Sequence, residues 1–144
     1  MKIVIVESPF ATGNVELPDR TTVPVYEEAN VEYARACLHD CLVNHHEAPF
    51  ASHLLYTQPG VLDDDIPEQR TLGINAGFEF APLASRRVFY LDRGISRGMR
   101  LALEASYELR LPCEARMLGG KWDLGWRPSE RLLEAIRACG NPRV

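Results

Sequence analysis

The apolar run Val88-Phe89-Tyr90-Leu91 passes directly into Asp92-Arg93-Gly94-Ile95-Ser96-Arg97-Gly98-Met99, and a helix-forming stretch follows at once. A strand, a glycine-containing turn and a helix in that order form half of a βα unit, and repeated βα units fold into a parallel sheet covered by crossover helices. The junction is also a natural seat for a ligand. A helix start leaves backbone N–H groups without intrahelical acceptors, and the helix dipole favours negative charge there. Gly94, Ile95, Ser96, Gly98 and Met99 are therefore candidate ligand contacts, with Ser96 and the turn amides suited to a phosphate. Asp92, at the carboxyl end of the strand, is placed to accept hydrogen bonds from a sugar hydroxyl or a ring nitrogen. Anion donors beside one acid point to a nucleoside or nucleotide ligand.

The rest of the chain extends the same alternation. Lys2 to Val6 reads as a central strand buried on both faces, ending at Glu7-Ser8-Pro9-Phe10. Ala11 to Val25 mixes Gly, Asn, Asp, Thr and two prolines and reads as a loop that covers a pocket. Between Tyr26 and Asn44, Ala34, Cys37, Leu38, Cys41 and Leu42 recur at intervals of three and four, the stripe of a helix packed on a sheet. Pro49 to Ser52 is expected as the second strand, and His53 to Asp65, which has no clear period, as a lid or binding loop. Pro67 opens a helix over 67–82, in which Gly73 and Gly77 let the backbone approach the sheet. A strand at 87–91, a helix over 96–110, a strand from Glu114 to Leu118 and a helix over 129–138 complete the order. The expectation is an open, mostly parallel α/β sheet covered on both faces. Its carboxyl edge brings Glu7-Ser8-Pro9-Phe10, Ser52-His53 and Asp92 to Met99 together at the switch point.

Length and charge narrow the function classes. At 144 residues and 46% apolar, the chain suits one domain with a real core and is too short for two. No apolar run approaches the ~20 residues of a membrane span, and the first strand is shorter than a secretory signal, so a cytoplasmic location is expected. The four cysteines form no CxxC pair, and reduced thiols are the expectation. A net charge of −4 with scattered basic residues argues against binding duplex nucleic acid.

Individual side chains carry the rest. Glu7 and Asp92 supply carboxylates at strand ends; His53 can bind a phosphate or move a proton near neutral pH, or simply satisfy a backbone carbonyl. Phe10 and Tyr56 can stack on a base or serve the core. Asp63-Asp64-Asp65 precede a helix and read as caps rather than a metal site, since adjacent side chains diverge. Cys37, Cys41 and His45 recur every four residues, but a zinc site needs a fourth ligand, and core packing is the better reading. No metal and no cofactor are expected. Trp122 and Trp126 can cover a sheet edge or a subunit contact.

The strand ending in ESPF, the block PFASHLLYTQPGVLDDDIPEQR, the GINAG helix and the DRGISRGM turn together resemble the small phage and bacterial proteins related to nucleoside 2-deoxyribosyltransferases, over roughly residues 2–117. The resemblance implies a flavodoxin-like (Rossmann-like) three-layer domain with a four- to five-stranded, mostly parallel sheet. It also implies a pocket for a nucleoside or its 5′-monophosphate, and a homo-oligomer whose neighbouring subunit closes the site. In such enzymes a glutamate near the start of the helix after the glycine turn attacks the anomeric carbon. Here that place holds Met99, and the next acid along the helix is Glu104. Arg100 and Glu104 stand at i and i+4, where a solvated ion pair accounts for both. Two functions stay open: N-glycosidic chemistry with Glu7 or Glu104 as nucleophile and Asp92 orienting the sugar or base, or a non-catalytic nucleotide binder, such as a phage protein capturing a nucleotide signal or metabolite.

Overall fold

The computed structural model describes residues 1–140. In chain order the strands are β1 (Lys2–Glu7), β2 (Gly13–Glu16), β3 (Thr22–Val25), β4 (Glu47–Phe50), β5 (Arg86–Tyr90) and β6 (Cys113–Arg116). The helices are α1 (Glu27–Asn44), α2 (Ser52–Leu55), α3 (Pro67–Phe78), α4 (Arg97–Leu109) and α5 (Glu130–Ala138).

Four strands form one parallel sheet in the order β4-β1-β5-β6. Numbered by their sequence within that sheet the order is 2-1-3-4, which is flavodoxin-like and puts the topological switch point between β1 and β5. Strand alternation explains why both central strands read as apolar runs. Val4, Val6, Val88 and Tyr90 pack against Tyr33, Cys37 and Cys41 of α1. On the opposite face Phe89 and Leu91 meet Met99 and Ala102 of α4 and Leu132 and Ile136 of α5. Each such aliphatic or aromatic side chain contributes about 1.5–3 kcal/mol by leaving water. The helix starts follow local chemistry: Pro67 occupies the first turn of α3, and Ser129 Oγ accepts from the Leu132 amide to cap α5 at 3.1 Å.

Several expectations are corrected. Ala11 to Val25 is not a loop: β2 and β3 pair as an antiparallel hairpin with Val15 opposite Val23. Its turn is held by Leu17 and Thr21, with Asp19 accepting from the Thr21 amide at 3.0 Å. Pro24 is tolerated because each strand of a two-stranded ribbon has only one pairing edge. The second sheet strand begins at Glu47 and ends at Phe50, and α2 interrupts the stretch read as irregular. Helix α3 ends at Phe78 and is followed by a 3-10 turn at Ala81–Leu83. Gly73 and Gly77 do not face the sheet. A Cβ on Gly77 would lie 2.7 Å from Ser52 Oγ, so the glycine lets α3 close on α2. Asp63 caps no helix; its carboxylate accepts from the Asp65 amide at 3.0 Å in a local turn. Cys37 and Cys41 do lie in the core under α1, as their apolar stripe predicts, while His45 meets Asp40 at 3.3 Å. Trp122 packs on Tyr33 and Trp126 on the α4/α5 cluster.

Candidate functional site

A cavity of about 140 Å³ opens beside the carboxyl ends of β1 and β4, between α3 and the start of α4. An apolar cavity of about 150 Å³ holds one benzene-sized ring. Its walls include Glu7, Ser8, Phe10, His53, Tyr56, Ser96, Gly98 and Met99. The structure thus gathers into one space residues from three separate segments, as the switch-point geometry requires.

Glu7 ends β1 with its side chain 15% exposed and Oε1 3.3 Å from Arg87 Nη1. Burial pushes its carboxyl up to about 7, against the pull of Arg87. Arg87 is 1% exposed. Its Nη1 also donates to the Ala102 carbonyl at 3.3 Å, its guanidinium lies 5.6 Å from the Phe78 ring centroid, and its Nε has no hydrogen-bond partner among the described residues. Ser8 Oγ and His53 Nε2 are 2.8 Å apart, and the Thr57 hydroxyl donates to the His53 carbonyl. Burial draws the imidazole down to about 4, so it is neutral at physiological pH.

At the start of α4, Ser96 Oγ accepts from the Met99 amide at 3.2 Å, and Met99 Sδ accepts from the Ser96 amide at 3.4 Å. This is a capping box with a sulfur where a carboxylate or amide usually stands. The Arg97 and Gly98 amides have no intrahelical acceptor by helix geometry. A Cβ on Gly98 would meet only Ser96 Oγ, at 3.9 Å, so the backbone is open there.

Other expected site residues lie elsewhere. Asp92 is fully buried and does not face the cavity. Its carboxylate accepts from Tyr33 Oη at 2.6 Å and from the amides of Leu118 and Gly119 at 2.8 Å each. Strand alternation is the reason: Phe89 and Leu91 face α4, which turns Tyr90 and Asp92 toward α1. Glu104 is exposed in a shallow groove between α3 and α4, alongside Thr71, Ile74 and Leu101, and its expected ion pair with Arg100 is not formed. Gly94, at φ +86°, packs under Val15 of the hairpin, and a Cβ there would come within 3.2 Å of Val15 Cγ2. Ile95 joins the α4/α5 core cluster, and Pro9 is buried outside the cavity lining.

A family model described as a domain of unknown function, DUF7768, matches residues 2–116. The chain belongs to the DUF7768 family. No curated protein matches this DUF7768 chain. A solved structure of a 2-deoxyribosyltransferase from the psychrotolerant bacterium Bacillus psychrosaccharolyticus, described as a biocatalyst for nucleoside synthesis, is similar with a TM-score of 0.52 and 20% identity. The match covers 83% of this chain and 74% of that one, and the likeness is one of fold. No helix among the described residues is long and apolar enough to cross a membrane.

Sequence reasoning missed Arg87, which reads as the edge of an apolar strand. A signal existed. Arg86 and Arg87 are adjacent in a strand, so their side chains leave on opposite faces; in a sheet covered on both sides only the one at the strand's first position can reach solvent, and the next is forced inward. Arg86 reaches Glu114 at 3.6 Å, and Arg87 is the buried one.

Proposed function

We propose that this DUF7768 protein binds a nucleoside or nucleoside 5′-monophosphate in the cavity and acts at its N-glycosidic bond, with Glu7 as the reacting carboxylate. The observation that carries the reading is the place of Glu7: a carboxylate at the end of the central strand, at the switch point, facing a ring-sized cavity. Asp64 also borders the cavity, but it belongs equally to the open groove along residues 57–65.

The chemistry follows from the positions. Ionised Glu7 attacks the anomeric carbon; the bond to the base breaks, and the base leaves with that electron pair and takes up a proton. Water or a second base then displaces the carboxylate from the sugar. Phe10 and Tyr56 stack on the base, a contact worth about 1–3 kcal/mol. The Ser8–His53 couple meets a sugar hydroxyl, and Ser96 with the Arg97 and Gly98 amides holds a 5′-phosphate. Asp92 holds the segment at Leu118 and Gly119 rather than the ligand. A cavity for one ring leaves the rest of the ligand at the mouth, where a second copy of the chain can close the site.

One observation favours a second reading, a binder without turnover: the helix-start position holds Met99, and Glu104 faces away from the cavity. Incubation with a panel of nucleosides and 5′-monophosphates, following free base by chromatography and binding by calorimetry, separates the two. Base release that disappears in Glu7→Ala is the expected result. Tight binding with no release overturns the enzymatic reading and leaves the binder; neither binding nor release overturns both.

A further inference from the structure

The Arg87 guanidinium lies against Glu7 and takes no part in the proposed chemistry. We propose that Arg87 is a positioning residue for the site: held between α3 and α4, it fixes where the Glu7 carboxylate sits and favours its ionised form. This rests on the reading of Glu7 as the reacting group.

A fully buried arginine is rare, because a buried charge without a partner is strongly destabilising. The position is otherwise made for an apolar side chain. Ile5 is its register partner on β1, Phe89 follows on the same face, and Phe78 and Ala102 close over it. Replacing a buried ion pair with apolar residues is often neutral or stabilising, so packing alone does not call for arginine here.

Its surroundings leave the guanidinium little freedom. The Ala102 carbonyl that accepts from Nη1 also accepts from Ser106 Oγ at 2.8 Å, which anchors that oxygen inside α4. The Phe78 ring covers the guanidinium from α3. Glu7 is the carboxylate paired with it, at 3.3 Å. A guanidinium is a rigid planar fork of donors, so its charge is held in one place against Glu7, which the flexible ammonium of lysine does not reproduce.

The other titratable groups facing the cavity are few. His53 comes from α2 and Tyr56 from its end, Asp64 from the following loop and Arg70 from α3, while α4 contributes only Gly98, Met99 and Ala102, with Ser96 as its cap. Cys113 and Cys139 also feel the charge of Arg87, and burial keeps both as thiols. Arg87 is thus the fixed charge directly against Glu7.

The test needs no substrate. The Glu7 carboxyl is titrated by carbon NMR in the full chain, its resonance assigned by Glu7→Gln, and the titration is repeated in Arg87→Met and Arg87→Lys. The expected result is a midpoint raised by about one pH unit or more in Arg87→Met, a tenfold or greater rise in proton affinity. A smaller rise is expected in Arg87→Lys, which keeps a cation without the planar fork. If Arg87→Met does not fold, Arg87→Lys still has to move the midpoint. A folded variant whose Glu7 titrates as in the parent overturns the proposal. Where base release is measurable, its pH profile shifts the same way. A shifted carboxyl titration without base release in any chain retires the enzymatic reading while the Arg87–Glu7 coupling stands.

Discussion

Burial favours the neutral form of two groups in the cavity and so moves their pKa values in opposite directions, which makes a sharp prediction about stability and pH. Glu7 is raised from 4.5 to about 7, so between those values the folded chain holds a proton that the unfolded chain has released. Stability then falls with rising pH, by about 1.4 kcal/mol per unit. His53 is lowered from 6.5 to about 4, so in that window the unfolded chain binds the extra proton and stability rises with pH at the same rate. Between pH 4.5 and 6.5 the two slopes cancel. Urea unfolding at half-unit steps from pH 4 to pH 8 should therefore show little dependence from this pair in the parent. Glu7→Gln should uncover a rise of up to about 3 kcal/mol between pH 4 and 6.5, and His53→Gln a fall of similar size between pH 4.5 and 7. Asp40 and Glu47, both held below the usual carboxylate range, add an acid-side loss that is common to all three chains and drops out of the differences. Difference curves that are flat, or that slope the same way for both variants, would refute the reasoning.

Other substitutions separate site from scaffold. Ser96→Ala removes the cap on α4 and should cost about 1 kcal/mol in a thermal scan. In calorimetry it should weaken a 5′-monophosphate more than the matching nucleoside. Asp92→Asn removes a charge-assisted partner from three donors and should lower stability by at least about 2 kcal/mol, with faster hydrogen exchange at Leu118 and Gly119. Gly77→Ala drives a methyl into Ser52 and should cost about 1–3 kcal/mol in denaturant unfolding, recovered by adding Ser52→Gly. Glu104→Ala should stay within about 0.5 kcal/mol of the parent and leave nucleotide affinity unchanged, because the side chain is exposed outside the cavity.

The two central strands of the sheet were legible because they are buried on both faces, and that environment writes continuous apolar runs such as Val4 to Val6 and Val88 to Leu91 into the sequence. A helix start was legible where one residue type decides it, as with Pro67. The hairpin was not, because a two-stranded ribbon with two buried residues, Val15 and Val25, imposes almost no pattern, and its turn residues look like any loop. The same limit applies to α2, whose four residues are too few to show a period.

The site divides along a different line. Residues just beyond strand ends, Ser8, His53 and Ser96, could be placed from chain order alone, since parallel strands deliver their carboxyl ends to one edge. Asp92 shares that chain position yet turns to α1, because the face a strand-end residue takes depends on the phase of the strand before it. Alternation along β5 puts Arg87 and Asp92, an odd number of residues apart, on opposite faces, so the two could not both meet a ligand on the α4 side. What no single strand records is the pairing of β1 with β5. That register sets Ile5 beside Arg87 and makes Glu7, two residues on, the acid within reach of the guanidinium. The electrostatics of the cavity are thus a property of two strands in register, and each strand alone shows only a charged residue at the end of an apolar run.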